Sequence, residues 1–328
     1  MDVVERHRDV WGVQNWQLGL RQLTRVLRAE RSLARDAERD ADVVVVGYPG
    51  HFDLPAARRI ARGRPIVFNP LVSLHDTLVG DRRRFRAWSP AARTLRVVDR
   101  AAFRAAELVV ADTEAHAHFF RRCFGLDDGR VEVAFVGAEE AVFRPGWQPP
   151  EPFHVLFVGK LIPLHGLETI LAAASIAAEV PFRIVGDGQL APLLLERPGN
   201  VEHVQWIPYT QLASAYQRAG CALGIFDTGA KAARVIPNKV FQALACGRPV
   251  ITADTPAARE LLTDGVDALL VPPGDPAALA QAVRRLAGSE ELAGRLAGAG
   301  RATYEARASE DVLGARWRSL LERVVAAR

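Results

Sequence analysis

The strongest constraint on this chain is a series of short β-branched runs, alternating with helix-compatible segments, that is broken once and then begins again. The first series comprises VVVV at 43–46, PIVF at 65–68, LVVAD at 108–112 and VEVAFV at 131–136. Strands that alternate with helices predict a parallel sheet with helices on its faces. A proline- and glycine-rich break follows, GWQPPEP at 146–152, which reads as an interdomain linker. The alternation resumes with FHVLFVG, PFRIVG, VEHVQW, CALGIF, PVITA and DALLVP, with helices beginning near Gly166, Gly188, Tyr209, Pro237 and Thr255. From about Pro276 to Arg328 the pattern is of consecutive helices. The expected fold class is therefore α/β, two doubly wound domains facing a cleft, with ligands at the carboxyl ends of the strands.

A length of 328 residues is enough for two cores, and 49% hydrophobic with 24% charged residues is an ordinary soluble balance. The net charge of +4 does not demand nucleic acid; a phosphorylated small molecule or an anionic membrane surface accounts for it equally. Arginine supplies nearly all the positive charge, so the three lysines, Lys160, Lys231 and Lys239, stand out. Cys123, Cys221 and Cys246 are far apart and form no CxxC pair, which predicts buried free thiols in a reducing compartment rather than a zinc site. No apolar run reaches the roughly 18–20 residues that span a bilayer, and the start lacks the apolar stretch of a secretion signal. Asp40-Ala41-Asp42 is a DxD sequence, but it precedes a strand, at the end away from the expected cleft, and no metal site is expected from it. Residues from about Trp11 to Arg39 read as a helix with arginines at 21, 25, 28, 31, 35 and 39. A solvated arginine face is the favoured reading of this helix, and contact with an anionic membrane is the alternative.

The segment FHVLFVGKLIPLHG, 153–166, carries the chemistry. It is a strand, a glycine turn, a cation at Lys160, a second basic residue at His165, and a glycine that opens a helix. A helix N-terminus presents unpaired N–H groups and partial positive charge, which favours phosphate.

Residues 150–290 resemble the donor-binding domain of family 4 retaining glycosyltransferases of GT-B fold. Five pieces carry the resemblance in order: FVGKLIPLHG; IVGDGQL at 184–190; VQWIPYTQLASAYQRAG at 204–220; PNKVFQALACGRPVITAD at 237–254; and DALLVPPGDPAALAQAV at 267–283. The resemblance implies two Rossmann-like domains, an N-terminal acceptor-side domain (1–145) and a nucleotide-sugar-binding domain (152–310). A C-terminal helix (311–328) follows, and the C-terminal helices pack back toward the N-terminal domain. It also implies transfer of a sugar from a nucleotide diphosphate to an acceptor with retention, without metal or cofactor.

Carried over residue by residue, Lys160 stands where the family has arginine and His165 where it has lysine, both facing the diphosphate. Gly159, Gly186 and Asp187 would line the donor, and Ile207 and Pro208 would sit beside the base. Pro237, Asn238 and Lys239 would open a helix aimed at the phosphates. The family's paired glutamates are replaced by Arg234 and Gln242; Gln242 retains hydrogen-bonding capacity for ribose, and Arg234, with Lys231 nearby, is suited to phosphate. From the N-terminal side, His75 is the candidate histidine near the anomeric carbon, with His51 second and Asp76 beside it. The run DRRRFR, 81–86, reads as a solvated face or one near a membrane or acceptor phosphate. Against the family pattern the N-terminal domain reads as short by about one β-α-β unit, with either a late start of the chain or a subfamily without that unit as the explanation. That shortening and the altered glutamates keep open a non-catalytic relative that binds nucleotide or a partner transferase. A sugar epimerase or phosphorylase of the same fold is a third reading. The expected location is the cytoplasm, with peripheral contact to the inner face of the membrane left open. The acceptor is an unspecified sugar, lipid or small molecule.

Overall fold

A computed structural model describes residues 2–8, 20–35, 41–146 and 152–327. Asp40, most of the 146–152 break and the flanks of the N-terminal helix lie outside the described residues, as do the arginines expected at 39 and the start at Trp11. The described part of that helix is α1, Leu20–Arg35. The N-terminal unit continues with β1 (Val44–Val46), α2 (Leu54–Ala61), β2 (Ile66–Phe68), α3 (Pro90–Ala105), β3 (Leu108–Ala111), α4 (Glu114–Phe124) and β4 (Val131–Val133). The second unit comprises β5 (Val155–Val158), α5 (Leu167–Ile176), β6 (Phe182–Val185), β7 (Val201–Val204), α6 (Tyr209–Arg218), β8 (Cys221–Leu223), α7 (Asn238–Ala245), β9 (Val250–Ala253), α8 (Pro256–Leu261), β10 (Leu269–Val271) and α9 (Pro276–Ala287). Two long helices close the chain, α10 (Glu290–Arg307) and α11 (Glu310–Ala326). The helix expected near Gly188 is instead a 3-10 turn at Ala191–Glu196, with proline in its first turn.

Both sheets are parallel throughout. The C-terminal sheet has the order β10-β9-β8-β5-β6-β7, so the winding reverses between β5 and β8. That reversal opens a crevice at the carboxyl ends of β5 and β8. The N-terminal sheet runs β1-β2-β3-β4 in chain order, without a reversal among the described residues. Right-handed crossovers wound one way deposit their helices on one face. Accordingly Leu54 and Ala57 of α2, Phe103 of α3 and Phe120 of α4 share a core with Phe68, Val109 and Val131. The opposite face, presenting Val67, Leu108 and Val110, needs cover from elsewhere. It receives Leu320 and Leu321 of α11, with Trp317 and Val324 beside them. Arg316 and Arg323 fasten this helix through the Glu132 carboxylate at 2.7 and 2.6 Å, and the two guanidiniums hold that carboxyl below the usual range. The C-terminal helix thus packs back on the N-terminal domain.

Cys221 and Cys246 are buried free thiols as expected, but Cys123 is exposed, because it falls on the outer side of α4, between the buried Phe120 and Phe124. Among the described residues no helix is long and apolar enough to cross a membrane.

Candidate active site

The cleft is built where the loops after β5, β6 and β8 of one domain meet the loops after β2 and β3 of the other. Two glycines set the backbone on the C-terminal wall of the cleft. A Cβ on Gly186 (φ 146°) would stand 1.9 Å from the carbonyl oxygen of Gly159, so the two strand ends touch only because Gly186 carries no side chain. A Cβ on Gly159 (φ 153°) would stand 2.8 Å from Lys239 Nζ and 3.2 Å from the His165 ring. The strand end, the lysine and the histidine are therefore one cluster.

Lys239 occupies the first turn of α7, which starts after Pro237 with Asn238 as its first residue. Its side chain turns inward and is only 6% exposed. The ammonium lies 3.8 Å from the centre of the Phe157 ring and has no hydrogen-bond partner. Burial pushes its pKa well below the usual lysine range, and no nearby carboxylate opposes the shift. His165 is also buried, edge-on to Phe157. Its Nδ1–H donates to the Lys160 carbonyl, which fixes the tautomer and leaves Nε2 as an acceptor. Burial first, and then the Lys239 charge, hold His165 well below its ordinary pKa, so it is neutral near pH 7 and not the cation expected from its place in the motif. Lys160 is exposed at the strand end.

The other two donor-side cations are engaged across the cleft. Lys231 donates to Thr77 Oγ1 at 2.8 Å and lies 3.7 Å from Asp81 Oδ2. Arg234 donates to Asp76 Oδ2 at 2.9 Å and stacks 3.9 Å above Phe119. Lys231 and Arg234 thus join the domains, and Asp76, expected on the acceptor side, is the partner that holds Arg234. The other Asp81 oxygen accepts from the Leu164 N–H at 3.0 Å. Further along, Glu260 of α8 accepts from the Glu114 and Ala115 N–H groups at 2.7 and 2.8 Å, so one domain caps the first turn of α4 in the other.

On the N-terminal wall of the cleft the 73–76 turn is organised by a residue the motif reading missed. Asp99 is fully buried on α3 and accepts from Ser73 Oγ at 2.7 Å and from the Leu74 and His75 N–H groups at 2.9 Å each. His75 is half-buried, and its Nε2 accepts from Arg96 Nε at 2.9 Å. Burial and the Arg96 charge depress its pKa. His51 is not on the cleft surface: it is 3% exposed, packs against Phe68 and Phe103, and its Nε2 lies 3.4 Å from Asp99. The loop histidine is drawn inside because its ring completes an aromatic core and its Nδ1 bonds to the Pro49 carbonyl.

Arg82 was also missed, having been read as one of a solvated run. Arg83, Arg84 and Arg86 are exposed, but Arg82 is half-buried with an Nε that has no partner. Its carbonyl accepts from Gln189 Nε2 at 3.4 Å, and its charge helps to depress His165 and Lys231. The sequence does hold signals for both missed residues. Asp81 is the one acid in the basic run that contains Arg82, and Asp99 is the one acid among seven arginines between 83 and 104.

The remaining candidates lie on the rim of the C-terminal domain. Asp187 is exposed and accepts from the Gly188 N–H and from Gln205 at 3.0 Å, bonds that hold its carboxyl below the usual range. Ile207 is half-buried against the core under α6, and Pro208 caps that helix. Gln242 is one helical turn beyond Lys239, and its Oε1 accepts from Tyr216 OH at 3.1 Å. Among the described residues no group of three or more His, Cys, Asp or Glu side chains could hold a metal ion.

Comparison with known proteins bears on the fold that carries this cleft. Residues 152–289 match the family model described as "Glycosyl transferases group 1". The chain is 30% identical over 210 residues to D-inositol 3-phosphate glycosyltransferase 2 of Catenulispora acidiphila, covering 56% of this chain and 48% of that protein. It is 32% identical over 153 residues to the phosphatidyl-myo-inositol mannosyltransferase of Mycobacterium leprae, covering 44% of this chain and 40% of that one. It therefore spans about half the length of the curated relatives it matches. Among solved structures it is similar to sucrose-phosphate synthase from Thermosynechococcus elongatus, with a TM-score of 0.75, 18% identity and coverage of 94% of this chain and 79% of that one. Anabaena HepE in complex with UDP-glucose superposes with a TM-score of 0.68 at 20% identity, covering 93% and 84%. Residues 152–289 are a group 1 glycosyltransferase domain, carried on a chain with the two-domain fold of the GT-B glycosyltransferases.

Proposed function

We propose that the chain transfers a sugar from a nucleoside diphosphate donor, held in the C-terminal domain, to an acceptor entering from the N-terminal domain. The observation that carries this reading is Lys239. A buried amine with no partner, at the first turn of a helix and against the Gly159 strand end, is costly unless an anion completes it. Arg82 adds a second cationic side chain with an unpartnered nitrogen, and Lys160 is free at the rim. One diphosphate between these groups would neutralise the excess. HepE, solved with UDP-glucose, supports a nucleotide sugar as the class of donor.

In this reading the bond between the anomeric carbon and the diphosphate oxygen breaks, and its electron pair leaves with the diphosphate. Lys160, Lys239, Arg82 and the α7 N-terminus stabilise that charge. The acceptor hydroxyl oxygen bonds to the anomeric carbon on the face the diphosphate leaves, and its proton passes to the departing phosphate oxygen. The configuration is retained, no protein nucleophile is needed, and fixed cations take the part a metal would play. His75, held by Asp99 and Arg96, orients the donor sugar from the acceptor side.

A thermal-shift panel of UDP-, GDP-, ADP- and TDP-sugars tests the donor site. A ligand at about 100 times its Kd stabilises by about 2.7 kcal/mol. The expected result is a shift with one nucleotide, lost in Lys239→Met, and a product whose anomeric configuration by NMR matches the donor's, formed equally with EDTA. No shift with any nucleotide removes the donor assignment. Binding without turnover across an acceptor panel, or an inverted product, refutes the transfer chemistry as written.

A further inference from the structure

The N-terminal domain carries a basic face that the cleft does not use. Between Leu54 and Ala106 there are twelve arginines and three carboxylates. Each carboxylate is turned inward: Asp76 to Arg234, Asp81 to Lys231 and Leu164, Asp99 to the 73–75 turn. Ten of the twelve arginines are exposed, so the exposed charge that this segment contributes is positive. On α3 the exposed arginines at 93, 96, 100 and 104 recur every three or four residues and form one stripe along the helix. Val97, 68% exposed, stands within that stripe. Trp88, also 68% exposed, stands at its head, with the Arg86 guanidinium 5.6 Å from its ring.

From this face we infer that α3 and the 83–88 loop form a docking surface for an anionic lipid bilayer. Arginines interleaved with an exposed indole and an exposed valine match the headgroup region, where charge meets anionic lipid and the apolar groups enter the acyl boundary. A polyanion in water offers no such environment to Val97. The face also reaches the cleft, because Arg96 donates to His75. A docked bilayer would therefore bring lipid headgroups to the rim of the acceptor loop. This inference does not rest on the transferase reading, since docking requires neither nucleotide nor turnover.

The test is co-sedimentation of the full chain with vesicles of phosphatidylcholine alone and of phosphatidylcholine containing phosphatidylglycerol. Binding is expected only with phosphatidylglycerol, and it should fall steeply as salt rises from 0.1 to about 0.5 M, where the Debye length shrinks to a few ångströms. Each arginine near such a surface contributes about fivefold in partitioning. The double variant Arg93→Glu/Arg100→Glu, which touches neither His75 nor the core, should therefore bind at least about 25-fold more weakly. Trp88→Ala should weaken binding while leaving its salt dependence in place. Thermal unfolding of each variant confirms that it is folded. Equal binding to neutral vesicles, no binding to anionic ones, or unchanged binding by the double variant overturns the inference. Duplex DNA or RNA that displaces the chain from vesicles would assign the face to nucleic acid and overturn it as well.

Discussion

Replacing Lys239 with methionine should make the free protein more stable while it destroys the proposed donor site. Lys239 is 6% exposed and its Nζ has no hydrogen-bond partner. Leaving a buried polar group unsatisfied costs about 1–3 kcal/mol. The contact with Phe157 at 3.8 Å returns part of that, about 0.5–2 kcal/mol for a cation over a ring. A methionine sulfur on the same ring restores about 0.3–1.5 kcal/mol of it. The net expectation is a gain of about 1–2 kcal/mol, or about 1.5–3 °C in Tm for a chain of this size. The gain has a defined pH dependence. Below the ordinary lysine value of 10.5 the unfolded chain holds this proton and the folded chain resists it, so the wild type gains stability as pH rises toward 10.5 and the advantage of the variant shrinks. Differential scanning fluorimetry from pH 6 to 10, with and without the nucleotide that shifts the wild type, measures both effects. A Lys239→Met protein that is less stable than the wild type and still shifts with nucleotide would refute the reasoning, because the amine would then belong to the core and not to a ligand.

Four further outcomes follow from the cleft. Arg82→Ala should weaken nucleoside diphosphate binding by about 10-fold or more, the worth of a charged hydrogen bond, and leave nucleoside binding unchanged; equal loss of both by calorimetry would reduce Arg82 to a structural role. Arg234→Ala or Asp76→Ala should destabilise by about 1–3 kcal/mol in urea, less than a fully buried pair, and the exchanged pair Asp76→Arg/Arg234→Asp should recover part of it. His165 can donate from Nε2 only when protonated, and its free pKa is depressed, so diphosphate binding should take up a proton and strengthen as pH falls from 8 to 6; His165→Gln should flatten that profile. Asp99→Ala, which strands two backbone N–H groups and a hydroxyl, should cost about 2–4 kcal/mol of stability and lower transfer more than donor binding, which circular dichroism melts and paired kinetic and binding titrations can separate.

The alternation of strands and helices was legible because fully buried parallel strands must be continuous apolar runs, and IVF, LVVA and VLFV are such runs. The clustering of Gly159, Gly186 and Lys239 was legible for a related reason: they are constrained by backbone approach and helix position, which are local in sequence. What the sequence did not disclose is pairing between distant loops. Arg234 and Lys231 read as phosphate ligands because their partners, Asp76 and Thr77, lie more than 150 positions away. Burial was equally hidden. His51 and His165 carry the same side chain as a solvent-facing histidine, and only packing against Phe68 and Phe157 takes their charge away. Arg82 differs from Arg83 and Arg84 in nothing but the direction the turn gives it.

The cover that α11 gives to the first sheet has a consequence for how the chain is made. Arg316 closes on the Val133 carbonyl across 183 residues, and Leu320 and Leu321 seal Val67, Leu108 and Val110 only after every intervening strand has been synthesised. The first domain to leave the ribosome is therefore the last to be finished. Until then one side of its sheet is an uncovered apolar surface, and the second domain, whose own core also takes in Phe143 from the chain ahead of it, serves as the platform that carries the missing piece back. A break in the chain ahead of Glu310 would damage the domain at the other end.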